Sequence, residues 1–283
     1  SRSINAQTDI LPIMMVAPGE ENNHNSKPEV PAFSLKNAIK QQLVEQYNGI
    51  DINDILDFEL SFYDVQKASY VGLNDDFIAS SRLDNLLSCF VATQALMRSD
   101  TKGTSLMVCS DHEEVGSAST AGAQGPFLKS VLQRLVDSSE SMTRMIDRSM
   151  LISADNAHGI HPNYSDKHDA NHGPVINQGP VIKVNANQRY ASSSETSAIF
   201  KALAEDKNVP VQSFVVRTDM GCGSTIGPIT ATEIGVKTLD IGVPTFAMHS
   251  IRESCGKQDP WYLYQVFNQF FDFSYDIQVR STS

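Results

Sequence analysis

Long hydrophobic runs, closely spaced cysteines and an excess of positive charge are all missing from this sequence of 283 residues. A membrane-spanning helix needs about 20 consecutive, mostly apolar residues, and no such run occurs. The opening residues, SRSINAQTD, contain no apolar signal core, so secretion is not indicated. The formal net charge of -11 would repel nucleic acid phosphates over most of the surface. We therefore expect neither a membrane nor a nucleic acid as a partner.

The cysteine pattern and the absence of two other motifs exclude further classes of site. The four cysteines form no Cys-x-x-Cys pair, which argues against a zinc site built from thiolates. Cys89 and Cys109 lie in apolar runs and are interpreted as buried thiols of a reducing compartment, so we expect a cytoplasmic location. No Gly-x-Ser-x-Gly motif is present, which disfavours a serine hydrolase. The glycine-rich stretch at 221–227 is neither a dinucleotide fingerprint nor a P-loop, and we interpret it as a tight turn.

Apolar and charged residues occur in the proportions of an ordinary globular protein, and their order indicates two parts. Residues 1–75 contain a polar stretch at 19–28, interpreted as a mobile loop, a helix predicted after Ser34 and a strand predicted at 57–65. Residues 76–283 alternate predicted helices and strands, which favours an α/β fold with a mixed central sheet flanked by helices. The predicted helices are 86–97, 126–136, 193–203 and 260–273; the predicted strands are 105–109, 150–153, 180–184 and 213–216.

Acidic and polar residues recur just after the predicted strands, where open α/β sheets line their ligand crevice. The candidates are Asp84 at the start of a predicted helix, and Glu113, Glu114, Asp155 and His249 after apolar segments. A pair of divalent metal ions needs a bridging carboxylate, terminal carboxylate or imidazole ligands, and a free carboxylate that accepts a proton. These residues could supply that set.

Each candidate also has an ordinary structural interpretation when it is taken alone. An Asp at a helix start, such as Asp84, is usually an N-cap. Asp155 alone is more often a turn or cap residue, and His249 alone is more often a hydrogen-bonded core histidine. Adjacent glutamates usually lie on a solvated helix face. The residue types by themselves therefore leave the metal site open.

A series of short motifs, taken in order, resembles the aspartyl aminopeptidases, which are the M18 family of metallopeptidases. The motifs are SRLDNL (81–86), EEVGS (113–117), SAD (153–155), His158 with HPNY (161–164), GPVIKVN (179–185), QRY (188–190), GSTIGP (223–228) and MHSIRE (248–253). Any one of them is weak, but the ordered set is specific and covers nearly all of residues 55–275. The resemblance implies the fold of a two-metal aminopeptidase.

The resemblance also implies a role for particular residues. Asp84 would bridge two divalent metal ions, expected to be zinc. Glu114 and Asp155 would be terminal ligands, and His249 would complete the coordination of one ion. Glu113 would be the general base. His158, Lys183 and Tyr190 match positions that contact the substrate or the tetrahedral intermediate. From its own chemistry, Lys183 is a natural counter-charge for a carboxylate because its strand is apolar, although taken alone it is a surface lysine at a strand end.

The function that the resemblance implies is hydrolysis of Asp or Glu from peptide N-termini through a water that bridges the metals. The expected partners are peptides with an acidic N-terminus, and typical members of the family form dodecamers, so a homo-oligomer is expected. Two alternatives remain open. One is a related two-metal aminopeptidase that prefers neutral N-terminal residues, and the other is a non-catalytic assembly subunit.

One part of the family pattern is missing, namely a His-x-Asp strand upstream of the bridging Asp that supplies the first metal ligand. The histidine that precedes Asp84 here is His24, which lies in the polar stretch. By resemblance, residues 1–75 are the C-terminal part of a dimerisation domain, and residues 76–283 are the C-terminal portion of the catalytic domain. The family also places a substrate-contacting histidine in the dimerisation domain. By resemblance, we therefore expect this histidine and the His-x-Asp ligand, two active-site histidines in all, to lie upstream of Ser1.

Overall fold

The computed structural model describes residues 3–14, 33–48, 50–101 and 103–273. The chain divides into two compact units, Ser1–Tyr63 and Asp64–Ser283. The polar stretch at 19–28, predicted to be a mobile loop and containing His24, lies outside the described residues. No helix within the described ranges is long and apolar enough to cross a membrane.

The described part of the first unit contains the helices α1 (Ala6–Asp9) and α2 (Leu35–Gln46). The helix predicted after Ser34 is confirmed by α2. The Ser34 hydroxyl accepts a hydrogen bond from the Asn37 amide at 3.3 Å, which satisfies one of the free N–H groups at the start of the helix.

The strand predicted at 57–65 is wrong, because this segment forms no strand in the described chain. Its alternating apolar side chains Phe58, Leu60 and Phe62 are all exposed. A strand requires a neighbour for its backbone hydrogen bonds, and alternation alone does not supply one. The assignment of residues 1–75 to a dimerisation domain remains a prediction.

The strands of the second unit form two sheets. In chain order they are β1 (Ser69–Val71), β2 (Phe77–Ser80), β3 (Met150–Ala154), β4 (Ala157–His158), β5 (Val181–Val184), β6 (Gln212–Val215), β7 (Lys237–Gly242), β8 (Pro244–Phe246) and β9 (Glu253–Gly256). Within the described residues, the first sheet has the order β1-β2-β9-β8-β4 and the second sheet β3-β7-β5-β6. In the second sheet β3 and β7 are parallel, as are β5 and β6, whereas β5 and β7 are antiparallel. The predicted mixed α/β architecture is therefore confirmed.

The second unit also contains six α-helices in its described part, three of which supply most of the core. They are α3 (Leu83–Met97), α4 (Phe127–Arg134), α5 (Ser139–Asp147), α6 (Ser194–Asp206), α7 (Ile226–Ile234) and α8 (Asp259–Asp272). Side chains of α3, α6 and α8 form one apolar cluster with the second sheet, in which Phe200, Leu239, Ile241 and Leu263 are fully buried. This core fixes the strand ends after which the candidate residues lie.

The strand predicted at 105–109 is also wrong, because this segment pairs with no strand in the described chain. Its neighbour β3 is the edge strand of the second sheet and pairs only with β7 among the described strands. A cavity of about 440 Å³ is lined by the 105–109 segment, α3, β3 and α8. Cys109 is exposed and Cys89 half-buried, so the interpretation of both as buried thiols is wrong: the segment that carries Cys109 joins no sheet that could cover it.

Candidate metal centre

The side chains predicted to bind metal, bind substrate or take part in catalysis all line one cavity of about 300 Å³. They are Asp84 in the first turn of α3, Glu113 and Glu114 in a short 3-10 turn, Asp155 directly after β3, His158 in β4, Lys183 in β5, Tyr190 ahead of α6 and His249 between β8 and β9. The fold therefore brings distant segments to one place, at the ends of strands from both sheets.

Asp84, Glu114 and His249 form a group that could hold a metal ion, with one ligand atom from each within 4.8 Å of the others. His249 Nε2 lies 3.2 Å from Asp84 Oδ2 and 3.1 Å from Glu114 Oε2. The Asp84 side chain is 4% exposed, and its Oδ1 atom is buried without a hydrogen-bond partner among the described residues. Two carboxylates, one imidazole and an unsatisfied carboxylate oxygen fit a divalent ion such as zinc.

The electrostatics of this group favour a cation. Burial raises the pKa of Asp84 from its ordinary value of 3.8 to about 8, and repulsion from Asp155, Glu114 and Glu253 adds to the shift. Carboxylates crowded into a buried site cannot all ionise without a compensating positive charge. A bound divalent ion would supply that charge and keep Asp84 ionised.

Asp155 lies next to this group but outside the three-residue cluster. Its Oδ2 atom accepts a hydrogen bond from Lys183 Nζ at 3.1 Å, and its carboxyl interacts with Asp84 closely enough to raise the pKa of Asp84. Asp84 thus interacts with Glu114 and His249 and also with Asp155. This placement is compatible with the predicted bridging role of Asp84, which remains a prediction.

Glu113 and Glu114 occupy different positions although they are adjacent in the chain. Glu114 belongs to the cluster with Asp84 and His249, whereas Glu113 does not. Burial raises the pKa of Glu113, repulsion from Asp155 and Glu114 adds to this, and Lys183 and His249 oppose it. Glu113 is therefore a carboxylate with increased affinity for a proton at the wall of the cavity.

The predicted substrate-binding residues also differ in their electrostatic state. Lys183 is 3% exposed, and its Nζ lies 5.6 Å from the centre of the Tyr190 ring. Burial and a hydrogen bond with Cys222 raise the pKa of Tyr190, so its hydroxyl stays protonated and can donate a hydrogen bond. Burial and the charge of Lys183 lower the pKa of His158, which keeps its ring neutral near pH 7.

Two buried carboxylates at the site were missed by the sequence interpretation. Glu253 accepts hydrogen bonds from the backbone amides of Asp84 and His249. Asp240 Oδ1 accepts a hydrogen bond from the Thr225 hydroxyl, and its Oδ2 accepts one from the Ala191 amide, both at 2.6 Å. The available signal was an acidic residue inside an apolar run, as at Asp240, since carboxylates are almost never fully buried unless they are paired.

Comparison with known proteins adds to this geometry. A family model described as Aminopeptidase I zinc metalloprotease (M18) matches residues 1–271. The chain is 55% identical over 269 residues to a probable M18 family aminopeptidase 2 of Pseudomonas aeruginosa, which covers 95% of this chain and 60% of that protein. The chain therefore spans less than two thirds of the length of this curated relative.

Solved structures show the same likeness. The cryo-EM structure of the Ape4 and Nbr1 complex matches with a TM-score of 0.76 and 43% identity, over 82% of this chain and 46% of that one. The structure of the S. cerevisiae mApe1 dodecamer matches with a TM-score of 0.72 and 29% identity, over 83% of this chain and 54% of that one.

Proposed function

Because this chain belongs to the M18 family of zinc metallopeptidases, we propose that it contains most of the active site of an aminopeptidase that removes Asp or Glu from peptide N-termini. The observation that carries the proposal is the single cavity that holds every predicted site residue, with the Asp84, Glu114 and His249 ligand atoms within 4.8 Å of one another. In this proposal Asp84 would bridge two divalent ions, Glu114 and Asp155 would be terminal ligands, and His249 would complete the coordination of one ion.

The residues around the ions would divide the remaining chemistry among them. When bound, the ions would polarise the scissile carbonyl and make a water molecule more nucleophilic. Glu113 accepts the proton of the attacking water and delivers it to the amine nitrogen as the carbon–nitrogen bond breaks. Its raised pKa supports this role, because a general base is most effective when its pKa is near the working pH. The Tyr190 hydroxyl and the neutral His158 ring offer hydrogen bonds to the substrate.

The preference for acidic residues rests on Lys183. Among the described residues that line the cavity, Lys183 is the one lysine or arginine. Asp155 accepts one of its three ammonium hydrogens, so the group retains donors for a carboxylate. Because Lys183 is nearly fully buried, its attraction to a carboxylate is screened less than at an exposed site.

A panel of peptides tests this specificity. Peptides that begin with Asp, Glu, Leu or Ala are compared by their kcat/KM values with the purified protein. We expect faster release of Asp and Glu, and Lys183→Gln should lower kcat/KM for the acidic peptides by roughly 10–100-fold more than for Leu and Ala, since a hydrogen bond to a charged group contributes about 1.5–3 kcal/mol. Lys183→Arg is the control that keeps the charge.

The outcomes of this panel separate the alternatives. Faster release of Leu than of Asp by the wild-type protein would assign the chain to the aminopeptidases that prefer neutral residues. A protein that binds no metal and cleaves no peptide would instead be the non-catalytic assembly subunit. If Lys183→Gln lowers kcat/KM equally for acidic and neutral peptides, Lys183 is excluded as the determinant of specificity.

We also propose that the protein is a homo-oligomer, since a similar solved structure is that of a dodecamer. The dimerisation role of residues 1–75 and the cytoplasmic location belong to the same proposal. Sedimentation equilibrium on the purified protein would give the number of subunits, and a monomer at micromolar concentration would contradict the proposal.

A further inference from the structure

The Glu253 carboxylate joins the backbones of two candidate metal ligands that are far apart in the chain. Its Oε2 atom accepts a hydrogen bond from the Asp84 amide, and its Oε1 atom accepts one from the His249 amide, both at 2.8 Å. The side chains of the same two residues meet on the cavity, where His249 Nε2 lies 3.2 Å from Asp84 Oδ2. Each oxygen of Glu253 therefore holds one of the two backbones whose side chains would share a metal ion.

The position of Glu253 in the sheet explains how it reaches both. Glu253 is the first residue of β9 and lies opposite Ser80, the last residue of β2. Beyond this pair the two backbones are no longer held together by strand pairing. The Glu253 side chain connects the two separated segments, because one of its hydrogen bonds goes to Asp84 in the segment after β2 and the other to His249 in the segment before β9.

The backbone at both ligands is irregular and needs such support. His249 has a left-handed φ of 66°, and Asp84 has non-helical φ and ψ of -84° and 109° inside α3. A non-glycine residue in the left-handed region costs about 1–3 kcal/mol and persists only where its surroundings fix it. The hydrogen bond from Glu253 to the His249 amide is one contact that does so.

The burial of Glu253 indicates that this arrangement is not incidental. The residue is 2% exposed, and a buried carboxylate is strongly unfavourable unless it is paired or hydrogen-bonded. An apolar residue would fill the same space without that cost. A carboxylate at this place offers two acceptors at a fixed separation, which suits two N–H donors from different segments.

We propose that Glu253 is a positioning residue of the metal centre, which sets the separation between Asp84 and His249 before any ion binds. The inference rests on the proposed function in one respect, namely that Asp84 and His249 are metal ligands. Glu253 lines neither of the two cavities described above, and in this proposal it acts through the two backbone amides.

The test measures Co²⁺ binding by the 283-residue chain. Titration gives the affinity, and visible absorption reports the geometry of the ligands around the ion. Glu253→Gln keeps the shape but turns one acceptor into a donor that faces an N–H group. Glu253→Asp keeps the charge but is too short to reach both amides. We expect both variants to bind Co²⁺ roughly 10–100-fold more weakly, the loss typical when a residue that supports a ligand is replaced, and to show an altered spectrum.

Asp259→Asn is the matched control. Asp259 is also fully buried, and its two oxygens accept hydrogen bonds from the backbone amides of Asn177 and Gly179, but it lines neither cavity. The Asp259→Asn substitution should lower the melting temperature of the chain while leaving the Co²⁺ affinity and the Co²⁺ spectrum unchanged.

The outcomes distinguish this role from the metal centre itself. If Glu253→Gln does not fold, Glu253→Asp decides the question. Wild-type affinity and spectrum in either folded variant would overturn the positioning role. Absence of Co²⁺ binding by the wild-type chain would overturn the metal centre and, with it, the role of Glu253.

Discussion

The adjacent glutamates Glu113 and Glu114 should fail in different ways when each is made neutral. Glu114 contributes a ligand atom to the cluster with Asp84 and His249, whereas Glu113 lies outside that cluster with a raised pKa. We expect Glu113→Gln to lower kcat by roughly 10²–10⁴-fold, the usual contribution of a general base, with bound metal near normal. We expect Glu114→Gln to lose metal, measured as zinc per chain by elemental analysis. If both variants keep their metal and only Glu114→Gln is inactive, the roles assigned to Glu113 and Glu114 are reversed.

The raised pKa of Asp84 predicts how stability depends on pH in the metal-free chain. Its carboxyl has a pKa of about 8 in the folded chain against 3.8 ordinarily, so between these values the folded state binds a proton that the unfolded state has released. The free energy of unfolding therefore falls as pH rises through this window, and the contribution of Asp84 is complete only below about pH 4.

A bound metal ion would replace the proton on Asp84. We expect the gap in melting temperature between zinc-loaded and chelator-treated chain to widen from about pH 5 to about pH 8. A gap that stays constant would exclude this linkage.

At the scale of single residues, the sequence indicated which side chains face the cavity better than it indicated which hydrogen bonds hold them there. Asp84, Glu113 and His249 were predicted because ordered motifs matched a family, and all of them line one cavity of the structure. Glu253 closed one of those motifs and yet received no role. Its function depends on amides at positions 84 and 249, and no local pattern reports which backbone groups a buried carboxylate will meet.

At the scale of elements, the close contact between α7 and β7 yields a prediction at Gly227. A Cβ atom at Gly227 would lie 2.3 Å from both carboxylate oxygens of Asp240, which is too short for any contact. Asp240 holds the Thr225 hydroxyl and the Ala191 amide, so it ties α7 to the loop that carries Tyr190. Gly227→Ala should destabilise the protein by about 1–3 kcal/mol, as overpacking typically does, and should raise KM.

The control for this variant is Gly223→Ala in the loop that leads into α7. A Cβ atom there would meet nothing within 4 Å among the described residues, and the backbone is not left-handed. Chemical denaturation of both variants gives the comparison. Equal stability of Gly227→Ala and wild type would show that α7 can move away from β7 without cost.

Element types were predictable where packing agreed with the local pattern and not elsewhere. The helix after Ser34 carries its own capping residue, and the strand at 150–153 became β3 because β7 pairs with it. The segments 57–65 and 105–109 have equally suitable residues but no partner strand in the described chain. The two-residue strand β4 is too short for any periodicity to reveal.

At the scale of the whole molecule, the number of imidazoles in the ligand cluster limits metal content. The cluster within the described chain has one, from His249. His112 does not add a second, because it lies outside the cavity of the site and its Nδ1 atom is 2.7 Å from the Ser119 hydroxyl. We expect the 283-residue chain to hold one ion firmly and to cleave Asp-initiated peptides poorly, because a second ion would find no imidazole ligand in this cluster. Lack of a direct ligand should cost more than the 10–100-fold of a supporting residue.

The comparison is the same experiment on a form to which an upstream segment with a His-x-Asp histidine, as in the family pattern, has been added. That form should bind two ions per chain and show full activity. Two firmly held ions and full activity in the 283-residue chain would mean that the upstream histidine is not needed.

The open edge of β3 is a second property of the whole chain. Within the described strands β3 pairs only with β7 and is bordered by an apolar cavity of about 440 Å³. An unpaired edge next to apolar surface is a site for unwanted strand pairing. Light scattering should therefore show concentration-dependent association of the 283-residue chain, and Leu151→Lys on this edge strand, at a side chain that lines the cavity, should reduce it. Unchanged association in that variant would assign the contact to another surface.

The distance along the chain between Asp84 and His249 has a consequence for when a metal ion can enter the protein. Asp84 and Glu114 leave the ribosome long before His249 does, and contacts that close such long loops form slowly because closure costs entropy. An emerging chain therefore holds only part of the ligand set and cannot retain the ion. Metal capture becomes a late step of maturation, and the Co²⁺ absorption should develop with the slowest phase of refolding rather than with the initial collapse.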